Sequence, residues 1–285
     1  MSGALVARLP DGRLHFQHGP IDLILGAAGP PEALRAGTQA AASHFAGLLE
    51  ELVAELPALR SPDPQPLRGP VALTMAAAVA PHRPGFITPM AAVAGAVAEA
   101  VLAAFAAAAG PGLRRAFANN GGDIALHLAP GESLTCALAT LPGLPDRVTI
   151  RHVDPVRGIA TSGWRGRSWS LGIADAVTVL APSAAAADAA ATLIANAVDL
   201  PDHPGIRRRP AVALQADSDL GRRRVTTAVP PLTLAERAAA LARGAARADA
   251  MAQRGLIVAA ALFLQGDTVT TGSAALLPRP EPADA

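Results

Sequence analysis

Three short β-forming runs open the chain. Ala4–Leu9, Arg13–Gln17 and Ile21–Leu25 read as strands, with Asp11-Gly12 as the hairpin turn between the first two. Asp22, a charge between Ile21 and Leu23, either faces a site or points to solvent; solvent is the simpler placement. From Pro31 the period changes. Leu34, Phe45, Leu48, Leu49, Leu52, Val53 and Leu56 line one side of a helix, Pro31–Leu56, which Pro57 ends. Glu50, Glu51 and Glu55 then read as a solvated face, and His44 as a packing or surface residue. A Pro-rich connector, Ser61–Pro70, leads to a shorter helix, Val71–Ala80, stopped by Pro81, Pro84 and Gly85.

Thr88 and Pro89 suit the N-cap and first position of the next helix, Met90–Ala109. That segment has the length of a membrane span. Glu99 near its middle and its many alanines predict a buried core helix and no membrane. Ala91, Ala92, Ala94 and Gly95 permit close approach of backbone or ligand, and the helix N-terminus can receive an anion.

Further on, two strands flank Asn119-Asn120-Gly121-Gly122. Ser133–Thr140 and Arg147–Val153 continue an antiparallel series into the run Ala176–Leu180. Pro182-Ser183 starts a helix in which Asp188, Thr192 and Asn196 recur every four residues, while Leu193, Ile194, Ala197 and Val198 can pack on a sheet. After Val198 the pattern becomes irregular. Two Arg triplets, Arg207–Arg209 and Arg222–Arg224, read as solvated loops, with phosphate binding as the other reading. An amphipathic helix (Leu232–Gln253) and a strand pair (Leu256–Leu264, Asp267–Thr271) follow. Residues 1–272 read as a single domain and 273–285 as a disordered tail.

Composition narrows the chemistry. The chain has 285 residues, a net charge of +1 and 3% aromatics, which argues against a nucleic-acid partner. It contains neither Lys nor Tyr, so Schiff-base lysines, P-loop lysines and tyrosine acids are excluded. Its one cysteine, Cys136, reads as a buried structural thiol. The opening residues show no apolar leader, and a cytoplasmic protein is expected.

Two stretches carry candidate chemistry. Asp188 and Thr192 put a carboxylate and a hydroxyl on one helix face, a pairing that suits a hard cation such as Mg²⁺. Ordinary helix roles stand beside that reading: back-bonding by Thr192, or Asp188 at the positive end of its helix. Asn120-Gly121-Gly122-Asp123 is either a plain hairpin or a place where a flat ligand lies against bare backbone. It is not a dinucleotide-binding GxGxxG. Ser162, in ATSGW, is not a GxSxG nucleophile.

Taken in order, Pro89–Gly95 (PMAAVAG), Asn120–Asp123 (NGGD), Gly158–Gly163 (GIATSG), Ser168–Val179 (SWSLGIADAVTV), Ala187–Thr192 (ADAAAT) and Asp217–Gly221 (DSDLG) resemble the ApbE-like superfamily. The superfamily includes the FAD:protein FMN transferases; the chain is most similar to an uncharacterised cytoplasmic branch of it. The resemblance implies an α+β fold, mainly antiparallel sheet with packed helices, and a pocket for a flavin or related nucleotide. It implies FAD or FMN and Mg²⁺ as cofactors. It assigns Asp188 and Thr192 to the metal, and Thr161, Ser162, Gly163, Asn120, Gly121, Gly122, Asp123, Pro89 and Met90 to the ligand. A homo-oligomer is compatible with it. The transferases also carry a His and an Asp-Pro-x-Thr-Gly segment after the Thr-Ser-Gly turn. Here Trp164–Ala174 holds neither, and Asp154-Pro155-Val156-Arg157-Gly158 lies before the turn.

Two functions follow. One is Mg²⁺-dependent transferase-like or pyrophosphate chemistry, with Arg165 or Arg167 assisting; no residue stands out as the acceptor's general base, Asp175 being a candidate with little to mark it. The other is a non-catalytic binding or scaffold protein that retains the fold.

Overall fold

The computed structural model describes residues 3–137, 147–166 and 168–273. Three sequence readings lie outside the described residues: the strand beyond Ala137, Arg167, and the tail from 274 onward. In chain order the elements begin with β1 (Leu5–Arg8), β2 (Leu14–His18), β3 (Ile21–Ala28), α1 (Pro31–Ala54), the single turn α2 (Leu56–Leu59), α3 (Pro70–Val79) and α4 (Val93–Ala109). Next come β4 (Arg115–Asn120), β5 (Asp123–Leu128), β6 (Ser133–Ala137), β7 (Arg147–Arg151), β8 (Gly158–Ser162), β9 (Ala176–Ala181) and α5 (Ala184–Ala197). The chain continues through β10 (Arg207–Pro210), β11 (Arg224–Ala228), α6 (Leu234–Gln253), β12 (Ala259–Leu264) and β13 (Asp267–Gly272). This is an α+β architecture built largely on antiparallel strand pairs.

The chain divides into two compact units. The first comprises Met1–Leu134, Arg151–Ala160 and Ala181–Ala189; the second comprises Thr135–Ile150, Thr161–Leu180 and Ala190–Ala285.

In the first unit the strands run in the order β1-β2-β3-β4-β5-β8. Strict alternation in β2 turns Leu14, Phe16 and His18 inward. Phe16 meets Phe45 of α1 edge to face, with ring centroids 5.3 Å apart. Helix α4 packs on α1, β4 and β5, and buries Val97, Val101 and Phe105. By length and composition α4 with its flanking turns could cross a membrane. Glu99 belongs to the fold instead: its Oε1 accepts the Ala185 N–H at 2.8 Å, satisfying an orphan donor at the start of α5.

Several local expectations change. Thr88 makes no side-chain cap, because Pro89–Ala92 is a 3₁₀ turn and α4 begins only at Val93. Glu51 and Glu55 are not a solvated face. Glu55 accepts the N–H groups of Arg68 and Gly69, both at 2.7 Å, and Glu51 that of Val71 at 3.4 Å, so they cap α3.

In the second unit β9, β12 and β13 are neighbours. Every residue of β12 is buried, whereas β13 alternates between half-buried and exposed as an edge strand does. Helix α6 starts with a capping box between Thr233 and Glu236. The chain after Val198 is less irregular than the pattern suggests: Arg207–Arg209 lie in a strand, and of the second triplet Arg224 does, while Arg222 and Arg223 precede it. Arg207–Pro210 pairs with Arg224–Ala228 as a two-stranded ribbon.

Cys136, on β6, is half-buried, and burial pushes its thiol up to about 11. At pH 8 the thiolate fraction falls accordingly. Labelling of the folded protein by a disulfide reagent should run roughly a hundredfold slower than that of the urea-unfolded chain. Equal rates would contradict this.

Candidate functional site

The site in the first unit begins with a turn. Asn120 and Asp123 are the last pair of the β4–β5 ladder, so only Gly121 and Gly122 connect the strands. Their φ values of 68° and 114° are the positive values a two-residue hairpin of this hand requires. The Gly122 N–H donates to Asn119 Oδ1 at 2.8 Å. Asn120-Gly121-Gly122-Asp123 is therefore a true hairpin, and its tip leaves open space above Gly122. Being directly opposite across the ladder, Asn120 and Asp123 present their side chains on one face.

That face meets the start of α4. Asn120 Nδ2 donates to the Ala94 carbonyl at 3.2 Å, and the N–H of Gly95, in the first turn of α4, donates to Asp188 Oδ2 at 3.1 Å. Asp188 is positioned by the start of α5, where Ser183 Oγ caps the Ala186 N–H at 3.2 Å, as the Pro182-Ser183 signal predicts. Two glycines allow this start to lie where it does. A Cβ on Gly95 would fall 2.3 Å from the Ala184 carbonyl oxygen, and one on Gly158 would fall 2.1 Å from the Ser183 carbonyl carbon. Backbone packs against backbone on both sides of residues 183–184.

The electrostatics follow from this crowding. Asp188 is half-buried and Asp123 is 9% exposed. Loss of hydration pushes the Asp188 carboxyl well above the ordinary carboxylate range, and the neighbouring Asp123 charge pushes it further. The N–H groups of Gly95 and Ala94 oppose that rise only in part. Two carboxylates here resist ionising together unless a cation joins them.

The donor set fits a hard divalent ion. Among the described residues no group of three or more His, Cys, Asp or Glu side chains converges. A cation here would take Asp123 and Asp188 and fill its other positions with water or phosphate oxygens.

Of the expected site residues, Asn120, Gly121, Gly122, Asp123 and Asp188 come together in this unit. Pro89, buried, and Met90, half-buried, lie in the 3₁₀ turn ahead of α4. Thr161, Ser162 and Gly163 belong to the second unit, as does Thr192 one helical turn beyond Asp188. Thr161 Oγ1 lies 2.9 Å from Thr178 Oγ1. Gly163 has the Asp175 carbonyl oxygen 2.4 Å from where a Cβ would stand.

Asp175 is not an available base. It accepts Arg165 Nε at 2.6 Å, Trp164 Nε1 at 3.2 Å and the Gln265 N–H at 2.6 Å. The same bonds commit Arg165 to Asp175, with its guanidinium 5.0 Å from the Trp164 ring centroid. Asn196, the third member of the polar row on α5, is likewise structural: its Oδ1 accepts Ser170 Oγ at 3.1 Å and the Leu171 N–H at 2.8 Å. Sequence reading missed the bond from Glu99 to α5. A lone acid inside an apolar helix was the available signal.

Comparisons with known proteins bear on the family of the chain. A UPF0280 protein of Methanopyrus kandleri is 39% identical over 127 residues, covering 44% of this chain and 48% of that protein. A UPF0280 protein of Methanocaldococcus jannaschii is 40% identical over 116 residues, covering 39% and 45%. The chain thus spans about half the length of these relatives. Among solved structures, the apo flavinyl transferase ApbE of Pseudomonas stutzeri aligns over 95% of this chain and 94% of its own, at 13% identity and a TM-score of 0.48. The family described as AbpE bacteria matches residues 6–270. The chain belongs to that family.

Proposed function

We propose that this protein binds a flavin or related nucleotide through its pyrophosphate, with Mg²⁺ held by Asp123 and Asp188. The observation that carries this reading is the opposed carboxylate pair at the first turn of α4, where Asp188 is raised by burial and by Asp123. When bound, Mg²⁺ would offset phosphate charge and polarise the phosphorus centre. The chain's own part is to orient Asp188 through the Gly95 N–H and to hold Asn120 against the Ala94 carbonyl. The open space at Gly122 leaves room for a flat ring. Thr192 and the Thr161–Gly163 turn remain candidates on resemblance alone.

The engagement of Asp175 with three donors, together with the missing His and Asp-Pro-x-Thr-Gly segment, favours binding over transfer to a protein acceptor. A non-catalytic binding protein is accordingly the second reading.

Calorimetry of the purified protein with FAD and with FMN, with and without Mg²⁺, tests both. FAD binding that requires Mg²⁺ and weakens at least about tenfold in Asp188→Ala is expected. A folded protein that binds neither flavin would overturn the proposal. Release of a mononucleotide from bound FAD would decide for an enzyme, and binding without turnover for the second reading.

A further inference from the structure

The second unit contains a cavity of about 840 Å³, within the size range of small-molecule sites. Its lining includes both tryptophans of the chain and four arginines. Local backbone geometry explains the arginines. Along a regular strand, neighbouring side chains point to opposite faces. The β10–β11 ladder breaks between Arg207, paired with Ala228, and Arg208, paired with Thr226. This irregularity lets consecutive arginines line one concavity.

The arginines are not equivalent. Arg208 forms an ion pair with Asp199 and donates to the Pro201 carbonyl. Arg224 donates to the Arg208 carbonyl at 3.0 Å. Arg207 and Arg209 are exposed and, among the described residues, have no carboxylate partner. Clustered guanidinium charges repel one another unless an anion lies between them.

The cavity also holds an unpaired polar group. Thr226 lines it and is 2% exposed, and its Oγ1 has no hydrogen-bond partner among the described residues. A buried hydroxyl without a partner is costly and marks a place where a ligand atom can bond. The aromatic wall is built rather than incidental. Trp164 is held by Asp175, while Trp169, 40% exposed, presents an open ring. The segment carrying Trp169 is tied down by the Ser170 bonds to Asn196 and to the Thr226 N–H.

We propose that this cavity binds a small aromatic compound carrying a phosphate, of the size of a nucleoside monophosphate. Arg207, Arg209 and the Thr226 hydroxyl take the phosphate, and Trp169 takes the ring by stacking. The site uses none of the residues assigned to Mg²⁺ and stands or falls apart from that assignment. A nucleic-acid strand is the less favoured occupant, because the pocket is concave and the chain carries a net charge of only +1.

Tryptophan fluorescence reads the cavity directly. Titrating the full chain with adenosine 5′-monophosphate should give saturable quenching, with adenosine and inorganic phosphate each binding at least about tenfold more weakly. The Arg207→Ala/Arg209→Ala double variant should weaken binding about a hundredfold, and Thr226→Val several-fold without loss of thermal stability. Asp188→Ala should bind the nucleotide as the wild type does. The proposal is overturned if the nucleotide does not quench at millimolar concentration, or if the double variant, shown folded by circular dichroism, binds unchanged. It is equally overturned if a short single-stranded oligoribonucleotide binds more tightly than the mononucleotide.

Discussion

Gly158→Ala is expected to destabilise the protein by about 4 kcal/mol or more, at the upper end of single-residue effects. The added Cβ would stand 2.1 Å from the Ser183 carbonyl carbon and 2.2 Å from the Ala184 nitrogen. Both are backbone atoms, so no rotamer change relieves the clash. The strand cannot retreat easily, because Gly158 is paired with Ala125 in the β5–β8 ladder. Nor can the start of α5, where a Cβ on Gly95 would already fall 2.3 Å from the Ala184 oxygen and where Glu99 holds the Ala185 N–H. Gly47→Ala is the control. That glycine lies within α1 with open space around it, so alanine there should stabilise by roughly 0.5–1 kcal/mol. Urea unfolding of the two variants beside wild type measures both effects. Coincident midpoints for Gly158→Ala and wild type would show that the two backbones are not in contact.

The second large effect has the opposite sign. Without divalent cations at pH 8, Asp188→Asn should be more stable than wild type by about 1 kcal/mol or more, because the amide can still accept the Gly95 N–H but carries no charge. An unfolded Asp188 ionises in the ordinary carboxylate range, whereas in the fold burial and Asp123 keep its proton on to higher pH. Between those two values the native state binds more protons than the unfolded state. Stability therefore falls as pH rises through that window, and the loss is complete above the folded value. Below the ordinary carboxylate range wild type and variant should converge. Adding Mg²⁺ at ten times its dissociation constant should return about 1.4 kcal/mol to wild type by mass action and nothing to the variant. Thermal melts at acidic and alkaline pH, with and without Mg²⁺, provide the comparison. A variant less stable than wild type at pH 8 without Mg²⁺ would mean that the two carboxylates do not oppose each other.

Much of the fold was legible because its signals are local. The alternation in β2, the apolar side of α1, the Asn-Gly-Gly turn and the Ser183 cap each depend on residues a few positions apart. Their physics acts within one strand, one helical turn or one hairpin. The ordered motifs carried the family in the same way, since each is a short run of letters. The candidate site was half legible: Asp123 and Asp188 stood out as residues, but 65 positions of chain separate them.

Only the tertiary structure could decide what such residues do. Glu51, Glu55 and Glu99 look alike in sequence as helical acids, yet all three bond backbone N–H groups at the starts of other helices. Asp175, which nothing in the sequence marked strongly as a base, is held by three donors, one of them the Gln265 N–H. The first arginine triplet had no periodicity to mark it as a strand, and a register break in the β10–β11 ladder brings its consecutive side chains to one cavity. The sequence alone determined most of the elements and the family, because propensity and turn chemistry act over a few residues. The partners of its charged groups were decided only by folding, because charge and burial depend on distances that the order of residues does not contain.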